Sequence, residues 1–556
     1  MGGVSDADGR IMPIEQSAAF RRYRAPQEDG RTLIDPPRPE LADVVDRNRR
    51  HLARIEYDVQ GQSLADLSAS ARGHLVKLAT AYTRQYRDPP RLAKSVARDD
   101  QLPIVLSGHQ PQLYHPGVWY KNFVLGALAR EVRGVGIHFL IDSDLCRSVA
   151  IRVPSGSPER PTIATVPYDL PGPEIPYEER SIRDQDVFRS FADRASAAIG
   201  QLVDEPLVNS LWPLAVKRSL EHGNLGLSLA QGRHLLEASW HNETLELPQS
   251  AVCQLPEFNR FTAHLLAHLP RFQSAYNSAL GDYRRAHRLR NRAQPVPDLA
   301  TSDGWLEAPL WMWTSEDPER RPLFARRKGR EIEITDRAQR TFVLSLADDG
   351  DARSAASQLA DLANRGAKIR TRALATTLFA RLVLGDIFLH GIGGAKYDQV
   401  TNVIARDFFG FDLPEFAAVS ATLRLPVHRI RPATHDDAIT QTLRALRYHP
   451  EKYLVANGKA ADSNTKAAAI VAEKRRWIDV AKTPANARER HLAISAANAA
   501  LQPLVEGQRS QLMQRQETQD DERRAAAILD SREYSFCLYP RPHIERMLLD
   551  TSQAES

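Results

Sequence analysis

Residues 104–144 decide the fold and read IVLSGHQPQLYHPGVWYKNFVLGALAREVRGVGIHFLIDSD. An apolar run opens the stretch, a loop rich in histidine and proline follows, and a second apolar run leads into acidic residues. Between the loop and the second run, the residues after Gly117 are typical of an amphipathic helix. The order strand, loop, helix, strand predicts a βαβ unit in a parallel sheet. Ligands of such sheets bind beyond the carboxyl ends of the strands, so the loop predicts a nucleotide-type site.

The loop and the helix start supply most of the candidate ligand contacts. The first backbone N–H groups of a helix have no partner within the helix, and they attract phosphate or carboxylate groups. The candidates in this unit are Gly108, His109, His115, Gly117, Lys121 and Asn122. We expect the two histidines to act in catalysis and the others to bind the cofactor. Alternatively, the histidines fix the loop by hydrogen bonds to backbone, and Lys121 is a solvated helix charge.

Asp142 and Asp144 follow the second apolar run. If the strand continues through them, its alternation places both carboxylates on one side. A ribose hydroxyl, a substrate amine or Mg²⁺ would suit that position, so we place both aspartates in the catalytic set. The alternative is that they cap the turn after the strand.

A second glycine-rich turn occurs at HGIGGAKYDQ, residues 390–399, after another apolar run and before another amphipathic helix. Gly391, Gly393 and Gly394 would let backbone amides approach an anion, and Lys396 lies in the first turn of the helix. We expect these four residues to complete the cofactor site. Tight packing is the alternative explanation for the glycines.

Composition limits the class of protein. The chain has 556 residues and a formal charge of +5, so we expect a globular protein of two or three structural units with no strong attraction to polyanions. Its three cysteines lie far apart, which argues against a disulfide framework and against a structural zinc site. We find no signal peptide and no apolar run long enough to span a membrane. A cytoplasmic protein that binds small molecules, neither nucleic acid nor membrane, is expected.

Shifts of composition divide the chain. We expect a poorly ordered lead over 1–38, an N-terminal helical layer over 39–98, the first half of the core over 99–150, a mixed insertion over 151–300, the second half of the core over 301–427, a helical arm over 428–530 and a terminal segment over 531–556. The arm is rich in Ala, Arg, Glu and Gln. It predicts an antiparallel helical hairpin or coiled coil, or else an ordinary helical subdomain.

Three features together resemble a known family. The segments GHQPQLYHPGVWYKNFVLGALA (108–129) and FLHGIGGAKYDQVTNVIARDFFGFDLPEF (388–416), followed by the late helical arm, resemble the bacillithiol-biosynthesis cysteine-adding enzymes. The resemblance implies an α/β fold with a Rossmann-like core, related to class I nucleotidyltransferases, and a C-terminal coiled-coil arm. It also implies a ligase that uses ATP, with Mg²⁺ as a possible companion, to add cysteine to glucosaminyl malate. Its substrates would be cysteine or another amino acid and an amino sugar.

One motif departs from the wider superfamily, in which an H-x-G-H loop contacts the phosphates of ATP. Here His115 and Gly117 are followed by Val118, so the second histidine is absent. The GHQP opening is also similar to WbqC-like proteins, which implies a nucleotide- or sugar-linked binding protein without ligase activity. A third possibility is a non-catalytic scaffold, with the arm as a surface for a homodimer or another partner.

Overall fold

A computed structural model describes residues 20–90, 102–291, 293–347, 351–428, 437–454 and 465–550. The chain divides into two compact units. The first contains residues up to 153, residues 164–426 and residues from 532 onward, and the second contains 154–163 and 427–531. None of the described helices is long and apolar enough to cross a membrane.

The described strands fall into a six-stranded sheet, a second antiparallel sheet and a hairpin. They are β1 (Thr32–Asp35), β2 (Ile104–His109), β3 (Val135–Leu140), β4 (Ala150–Ser157), β5 (Arg160–Pro167), β6 (Leu245–Pro248), β7 (Thr301–Ser302), β8 (Trp305–Trp313), β9 (Arg321–Lys328), β10 (Glu331–Thr335), β11 (Thr341–Ser345), β12 (Lys368–Thr371), β13 (Ile387–His390) and β14 (Ala417–Ala421).

The described helices alternate with these strands, so the protein is mixed α/β. They are α1 (Leu41–Leu52), α2 (Leu64–Arg84), α3 (Pro116–Glu131), α4 (Gln185–Arg189), α5 (Phe191–Ile199), α6 (Val208–His222), α7 (Leu225–Ala238), α8 (Gln249–Val252), α9 (Pro256–Ala267), α10 (Leu269–His287), α11 (Arg353–Asn364), α12 (Ala373–Phe379), α13 (Ile392–Phe409), α14 (Asp437–Tyr448), α15 (Thr465–Asp479), α16 (Ala487–Leu529) and α17 (Arg541–Leu549).

The main sheet has the strand order β1-β14-β13-β2-β3-β6. Its five strands from β14 to β6 are parallel, and β1 pairs antiparallel with β14 at the edge. Helix α3 carries the chain from the end of β2 to β3 on one side, whereas β13 lies on the other side of β2. The direction in which strands are added therefore reverses between β2 and β13. At such a reversal the loops diverge and leave a crevice at the carboxyl edge of the sheet.

The N-terminal lead is more ordered than the sequence predicts. Residues 1–19 lie outside the described residues, but the chain is described from Phe20 and forms β1 at Thr32–Asp35. The strand is short and lies among glycine, proline and charged residues, so its pattern alone does not reveal it. Pairing with β14, nearly 400 residues later, creates it, because an edge strand satisfies its backbone groups on a neighbour.

The predicted insertion and second half of the core also need correction. The insertion over 151–300 contributes β6 to the parallel sheet, where Ile137 of β3 lies opposite Leu245. The region 301–371 instead forms an antiparallel sheet of its own, in the order β11-β10-β9-β8-β12 with β7 paired to β8. Only β13 and β14 supply the later parallel strands. Pairing partners separated by about a hundred residues are not visible in local periodicity.

Helix α2 shows how local signals and packing combine. Ser63 accepts a hydrogen bond from the Asp66 backbone N–H at 3.0 Å and donates its hydroxyl to the Asp66 carboxylate at 2.7 Å, which caps the helix start. One face of α2 is buried in the main core at Leu64, Leu67, Ala71 and Leu75. This spacing places the four apolar side chains on one face of the helix. Burial of that face in the core stabilises the helix.

The second unit is formed by α14, α15 and α16. The Lys474 ammonium is 1% exposed and donates to the Glu451 carboxylate at 2.5 Å and to the Tyr448 carbonyl at 2.9 Å. Leu501 and Val505 of α16 are buried. A buried lysine with a carboxylate partner and an apolar seam indicate that these helices pack on one another.

Candidate functional site

The two glycine-containing turns predicted as site halves lie side by side. Ser107 of β2 is opposite Leu389 of β13, and its hydroxyl donates to the Leu389 carbonyl at 3.2 Å. The strands are parallel, so the turns after His109 and after His390 leave the sheet at the same edge. The structure therefore brings together two segments that are 280 residues apart in sequence.

The start of α3 is closed. Pro116 has no N–H group, Gly117 donates its N–H to Nδ1 of His115 at 3.1 Å, and Val118 donates to the His115 carbonyl at 3.0 Å. A Cβ on Gly117 would lie 2.1 Å from the Ala421 carbonyl oxygen. The glycine is thus required by close packing on β14, and the first donors of this helix already have acceptors.

His115 is the N-cap of α3 and lies under the C-terminal segment. Burial lowers the pKa of His115 to about 4; Glu533 opposes this shift and Arg532 adds to it. Beside it, the Phe536 N–H donates to the Tyr114 carbonyl at 2.8 Å. His115 is therefore a neutral ring that fixes the loop, which is the alternative role considered from the sequence.

The start of α13 is open. Gly391 is its N-cap, and no side chain caps the helix. A Cβ on Gly391 or on Gly393 would meet nothing within 4 Å. Gly394 differs, because a Cβ there would approach Nδ1 of His390 to 2.7 Å. The first N–H groups of this 18-residue helix therefore have no capping side chain, and open space lies beside two of its glycines, which suits an anion.

A buried charge pair anchors the start of α13. Asp398 accepts hydrogen bonds from Nε2 of His390 at 2.9 Å, from the Arg381 guanidinium at 2.6 Å and from the Thr377 hydroxyl at 2.5 Å. Burial raises the pKa of Asp398, but Arg381 and His390 outweigh it and hold that pKa far below its usual range. Burial lowers the pKa of His390 in spite of Asp398. The carboxylate thus ties the second turn of α13 to the end of β13.

His109 remains at the crevice as a neutral ring. Its Nδ1 lies 3.1 Å from the Gln110 carbonyl oxygen, and its ring meets Tyr114 edge-on at 4.8 Å between centroids. Burial, followed by the charge of Lys121, lowers the pKa of His109 to about 3. Since a carbonyl can only accept, Nδ1 carries the hydrogen and Nε2 is left as an acceptor. His109 can accept a hydrogen bond from a ligand but cannot offer it a positive charge.

Lys121 and Asn122 lie beneath the loop. The Lys121 ammonium is 1% exposed and donates to the Gly108 carbonyl at 2.6 Å. Burial, followed by Arg233, lowers the pKa of Lys121 to about 7. Asn122 donates to the Glu237 carboxylate at 2.9 Å. Lys121 therefore supports the Gly108 turn from below, whereas Asn122 contacts Glu237. Both side chains are buried and are not available at the crevice as predicted.

A buried charged cluster that the sequence did not suggest surrounds these two residues. Arg233 of α7 is hydrogen-bonded to Glu237 and to Glu246 of β6. Burial raises the pKa of Glu246 to about 7 against the opposing charge of Arg233. His138 of β3 has a buried Nδ1 with no hydrogen-bond partner among the described residues. The available signal was Arg233 and Glu237, four residues apart on the same helix.

The Asp142 carboxylate binds the start of helix α8. Its two carboxylate oxygens accept from the Ser250 backbone N–H at 2.9 Å and from the Ser250 hydroxyl at 2.5 Å. Burial, together with the nearby Glu178, raises the pKa of Asp142 to about 7. It lines a cavity of about 110 Å³ with Tyr177 and Asn224. Asp142 thus caps the start of α8 and not the turn after its own strand.

Asp144 is more accessible, with a side chain 36% exposed. It accepts from the Gln110 amide at 2.8 Å, from the Leu145 N–H at 2.9 Å and from the Arg320 guanidinium at 3.0 Å. Burial raises its pKa, but the Gln110 hydrogen bond and the Arg320 charge lower it overall. Since β3 ends at Leu140, the alternation expected for Asp142 and Asp144 does not apply, and the two carboxylates have different neighbours.

Arginines and tryptophans from the second sheet approach this aspartate. Arg320 and Arg372 both lie over the ring of Trp311, at 4.5 Å and 4.1 Å from its centroid. Arg370 forms a two-point contact with the Glu178 carboxylate at 2.8 Å and 3.0 Å. The signal for this group is WLEAPLWMW followed by KIRTR in paired strands.

Lys396 lies away from the glycine start of its own helix. It lines a cavity of about 390 Å³ with Arg22, Arg24, His287 and Tyr397. Its position on the helix face that meets residues 21–24 explains this, since Gln399, one turn later, exchanges hydrogen bonds with the Arg21 backbone. The structure does not group Lys396 with Gly391 and Gly393.

These contacts test whether the expected cofactors fit. The open start of α13 fits the phosphate groups of ATP, whereas the start of α3 is already hydrogen-bonded. Among the residues that the structure describes, no group of three or more His, Cys, Asp or Glu side chains could hold a metal ion. Both oxygens of Asp142 and of Asp144 accept protein hydrogen bonds, and the two carboxylates have different neighbours, so they do not form a shared site for Mg²⁺.

Comparison with known proteins assigns no family. The chain matches no protein-family model and no curated protein.

Proposed function

We propose that the protein is an ATP-dependent ligase with a Rossmann-like core, and that its nucleotide binds between the ends of β2 and β13. The observation that carries the proposal is the open start of α13 at the point where the strand order reverses. A helix start with free donors at that point supports a phosphate site.

The strand order supports the Rossmann-like core. In chain order the parallel strands are β2, β3, β6, β13 and β14, and their order across the sheet corresponds to 3-2-1-4-5. This is the order of the doubly wound dinucleotide-binding sheets. Because one fold serves many reactions, the order supports a ligand position and not a particular chemistry.

The residues at the crevice have distinct parts in this proposal. The N–H groups after Gly391 would hold phosphate, Nε2 of His109 would accept a hydrogen bond, and Asp144 would hold a substrate amine or a ribose hydroxyl. Asp144 suits this part because its lowered pKa keeps it negative at neutral pH while part of its surface stays exposed. When bound, ATP would activate a carboxylate for attack by the amine. Resemblance to the cysteine-adding enzymes favours cysteine as the amine and an amino sugar conjugate as the carboxylate.

A binding protein without ligase activity is the second candidate. His115 is half-buried and caps α3, and the position after Gly117 is Val118. The start of α3 therefore lacks histidines that could act on phosphates. This arrangement favours a WbqC-like nucleotide- or sugar-binding role if nucleotide binds without turnover.

We also propose that the helices of the second unit form a coiled-coil arm. Helices α15 and α16 are joined by the short segment 480–486, which favours an antiparallel pair. Sedimentation velocity of the intact chain and of a Leu492→Glu variant would test whether the arm forms a homodimer. Leu492 is 57% exposed, so a dimer interface there would dissociate without unfolding the protein.

The nucleotide site is tested by changing the open glycine. Gly393→Asp places a carboxylate beside the first turn of α13, where it stabilises the helix but repels phosphate. We expect ATP and ADP affinity to fall about tenfold, measured by isothermal titration calorimetry. Gly393→Ala is the control, and it should bind as the parent does, because its Cβ meets nothing within 4 Å. Absence of nucleotide binding by the parent protein would disprove the proposal.

The reaction needs a separate assay. Release of ADP or AMP should depend on cysteine or another amino acid together with an amino sugar carboxylate. Asp144→Asn should reduce this turnover while preserving ATP binding. Nucleotide binding without turnover under any such combination would select the binding protein.

A further inference from the structure

A cavity of about 880 Å³ lies near the C-terminal end of α13, the opposite end from its open glycines. Its lining includes Tyr57, Asp58, Gln60, His264, Arg271 and Asp407. None of the residues predicted from the sequence as site residues belongs to this lining. The polar side chains of the cavity form an ordered chain of hydrogen bonds, and that chain determines what the cavity can bind.

The first link is the orientation of the Gln60 amide. Its Oε1 accepts from the Ala352 backbone N–H at 2.7 Å, so its Nε2 faces Nδ1 of His264 at 3.2 Å. Gln60 is buried and has φ of 57°, in the left-handed region that is costly for a residue with a Cβ. Because an amide nitrogen can only donate, Nδ1 of His264 must be the acceptor.

The second link is the tautomer of His264. Burial, followed by the neighbouring His268 and Arg271, lowers the pKa of His264 to about 3, so the ring is neutral. With Nδ1 accepting, the single ring hydrogen lies on Nε2. Nε2 is 2.9 Å from the Tyr57 hydroxyl oxygen, so the histidine donates to the tyrosine.

The third link is the tyrosine hydroxyl. Burial raises the pKa of Tyr57, while the nearby Arg271 guanidinium lowers it. The oxygen therefore receives the His264 N–H and lies near the positive charge of Arg271. Among the described residues we find no acceptor for the hydroxyl hydrogen, which is left for a ligand in the cavity. Such a ligand must present an acceptor beside a guanidinium group.

We propose that this cavity binds a small molecule of the α-amino acid class, separately from the nucleotide site. Its carboxylate would accept from the Tyr57 hydroxyl and pair with Arg271. Its ammonium would pair with Asp58 or with Asp407, whose exposed carboxylate lies at the rim. The other charges, Asp351 and Arg353, pair with each other. Carboxylates in the lining disfavour a dianion such as phosphate and favour a ligand with charges of both signs.

The binding test uses Tyr57→Phe, which removes only the hydroxyl and keeps the ring contacts. Tyr448→Phe, at an exposed tyrosine outside this cavity, is the matched control. Each of the twenty amino acids, acetate, methylammonium and inorganic phosphate would be titrated by calorimetry in the absence of nucleotide. We expect at least one amino acid to bind the parent and the control more tightly than the other three probes do. Its affinity for Tyr57→Phe should fall about tenfold.

Binding of phosphate in preference to every amino acid, or no binding of any amino acid at millimolar concentration, would overturn the proposal. Either result leaves the nucleotide proposal standing, since that is measured with ATP and the Gly393 variants. An amino acid that binds Tyr57→Phe as well as the parent would equally overturn the assignment to this cavity.

The hydrogen-bond chain has its own readout in histidine ¹⁵N NMR. We expect His264 of the parent to carry its hydrogen on Nε2. Gln60→Glu replaces the donor by an acceptor of the same shape, so the hydrogen should move to Nδ1, and Nε2 should then accept from Tyr57. Amino acid affinity should fall as in Tyr57→Phe although Tyr57 is intact. A hydrogen on Nδ1 in the parent protein would refute the chain of donors.

Discussion

Two helices begin at the same edge of the parallel sheet, and their glycines have opposite roles. In α3, Gly117 lies against the Ala421 carbonyl, and His115 occupies its N–H. In α13, Gly391 and Gly393 face open space, and no side chain caps the helix. The sequences HPG and HGIGG both predict a helix start that could bind an anion. Only the packing of each start shows which one has donors left for a ligand.

The two starts also differ in how they are held. The His115 cap is a neutral side chain that uses one ring nitrogen. Helix α13 is held from behind by the buried carboxylate of Asp398, which leaves its front free. A helix start can therefore be both rigid and open when its anchor lies on the side away from the ligand. This difference sets the order of the expected mutational effects.

The largest loss of stability should come from changing Asp398, which anchors α13. Asp398→Asn removes the charge that balances the fully buried Arg381, and it should lower the free energy of unfolding by about 4 kcal/mol at pH 7. Urea unfolding followed by circular dichroism measures this. Asp407→Asn, at an exposed position on the same helix, should change stability by less than about 0.5 kcal/mol. Equal midpoints for the two variants would show that the anchor does not hold the helix.

A direct comparison of the two starts uses the same substitution at each. Gly117→Ala should lower stability by about 3 kcal/mol, because its Cβ would lie 2.1 Å from a backbone oxygen that cannot move away. Gly393→Ala should raise stability by about 0.5 kcal/mol, because alanine is the better helix former and its methyl group meets nothing. Thermal unfolding of both variants would check this. If both change stability equally, the contrast between a packed and an open start is wrong.

Lys121, which supports the Gly108 turn, should make the stability of the protein depend on pH. Lys121 has a pKa lowered to about 7, below its value in the unfolded chain, so the unfolded state binds more protons between about pH 7 and 10. Stability should therefore rise with pH in that window, by up to about 1 kcal/mol per pH unit. Lys121→Met should reduce this slope. A slope that persists in the variant would assign the titration to another group.

The cap of α3 should give a smaller loss of stability than Asp398 or Gly117. His115→Ala removes the acceptor of the Gly117 N–H and should cost about 1 kcal/mol of stability, and His115→Asn should restore most of it, because asparagine is a good N-cap. Affinity for ATP should stay unchanged in both variants if the nucleotide lies at α13. Loss of nucleotide affinity in both variants, measured by calorimetry, would move the site to α3.

Local pattern predicted the elements around the site well. The apolar runs and the turns between them led to β2, α3, β3, β13 and α13, and the structure places all five elements in those segments. The pattern failed where pairing partners are distant. Strand β1 depends on β14, and β6 joins the sheet from within the predicted insertion. Such strands are short and gain their hydrogen bonds only in the folded chain.

The sequence predicted the helical positions of candidate site residues better than the directions in which their side chains point. Lys121 and Asn122 lie in the predicted helix, but their side chains point into a buried charged cluster, because both faces of α3 are covered. Lys396 lies in the predicted first turn, yet it lines a different cavity from that of Gly393. A helical position gives the height of a side chain along the helix, whereas the neighbours around it decide whether it meets a ligand.

The sequence by itself determined the alternation of strands and helices and the two glycine-containing turns after strands, because these depend on local periodicity and on the backbone freedom of glycine. Tertiary structure alone decided that the turns lie side by side, that the α3 start is closed and that the α13 start is open. It also decided the tautomer of His264, which is set by the Ala352 N–H through Gln60. The contacts behind the paired turns, the closed α3 start and the His264 tautomer join atoms more than 200 residues apart in the chain, and only the folded backbone brings such atoms together.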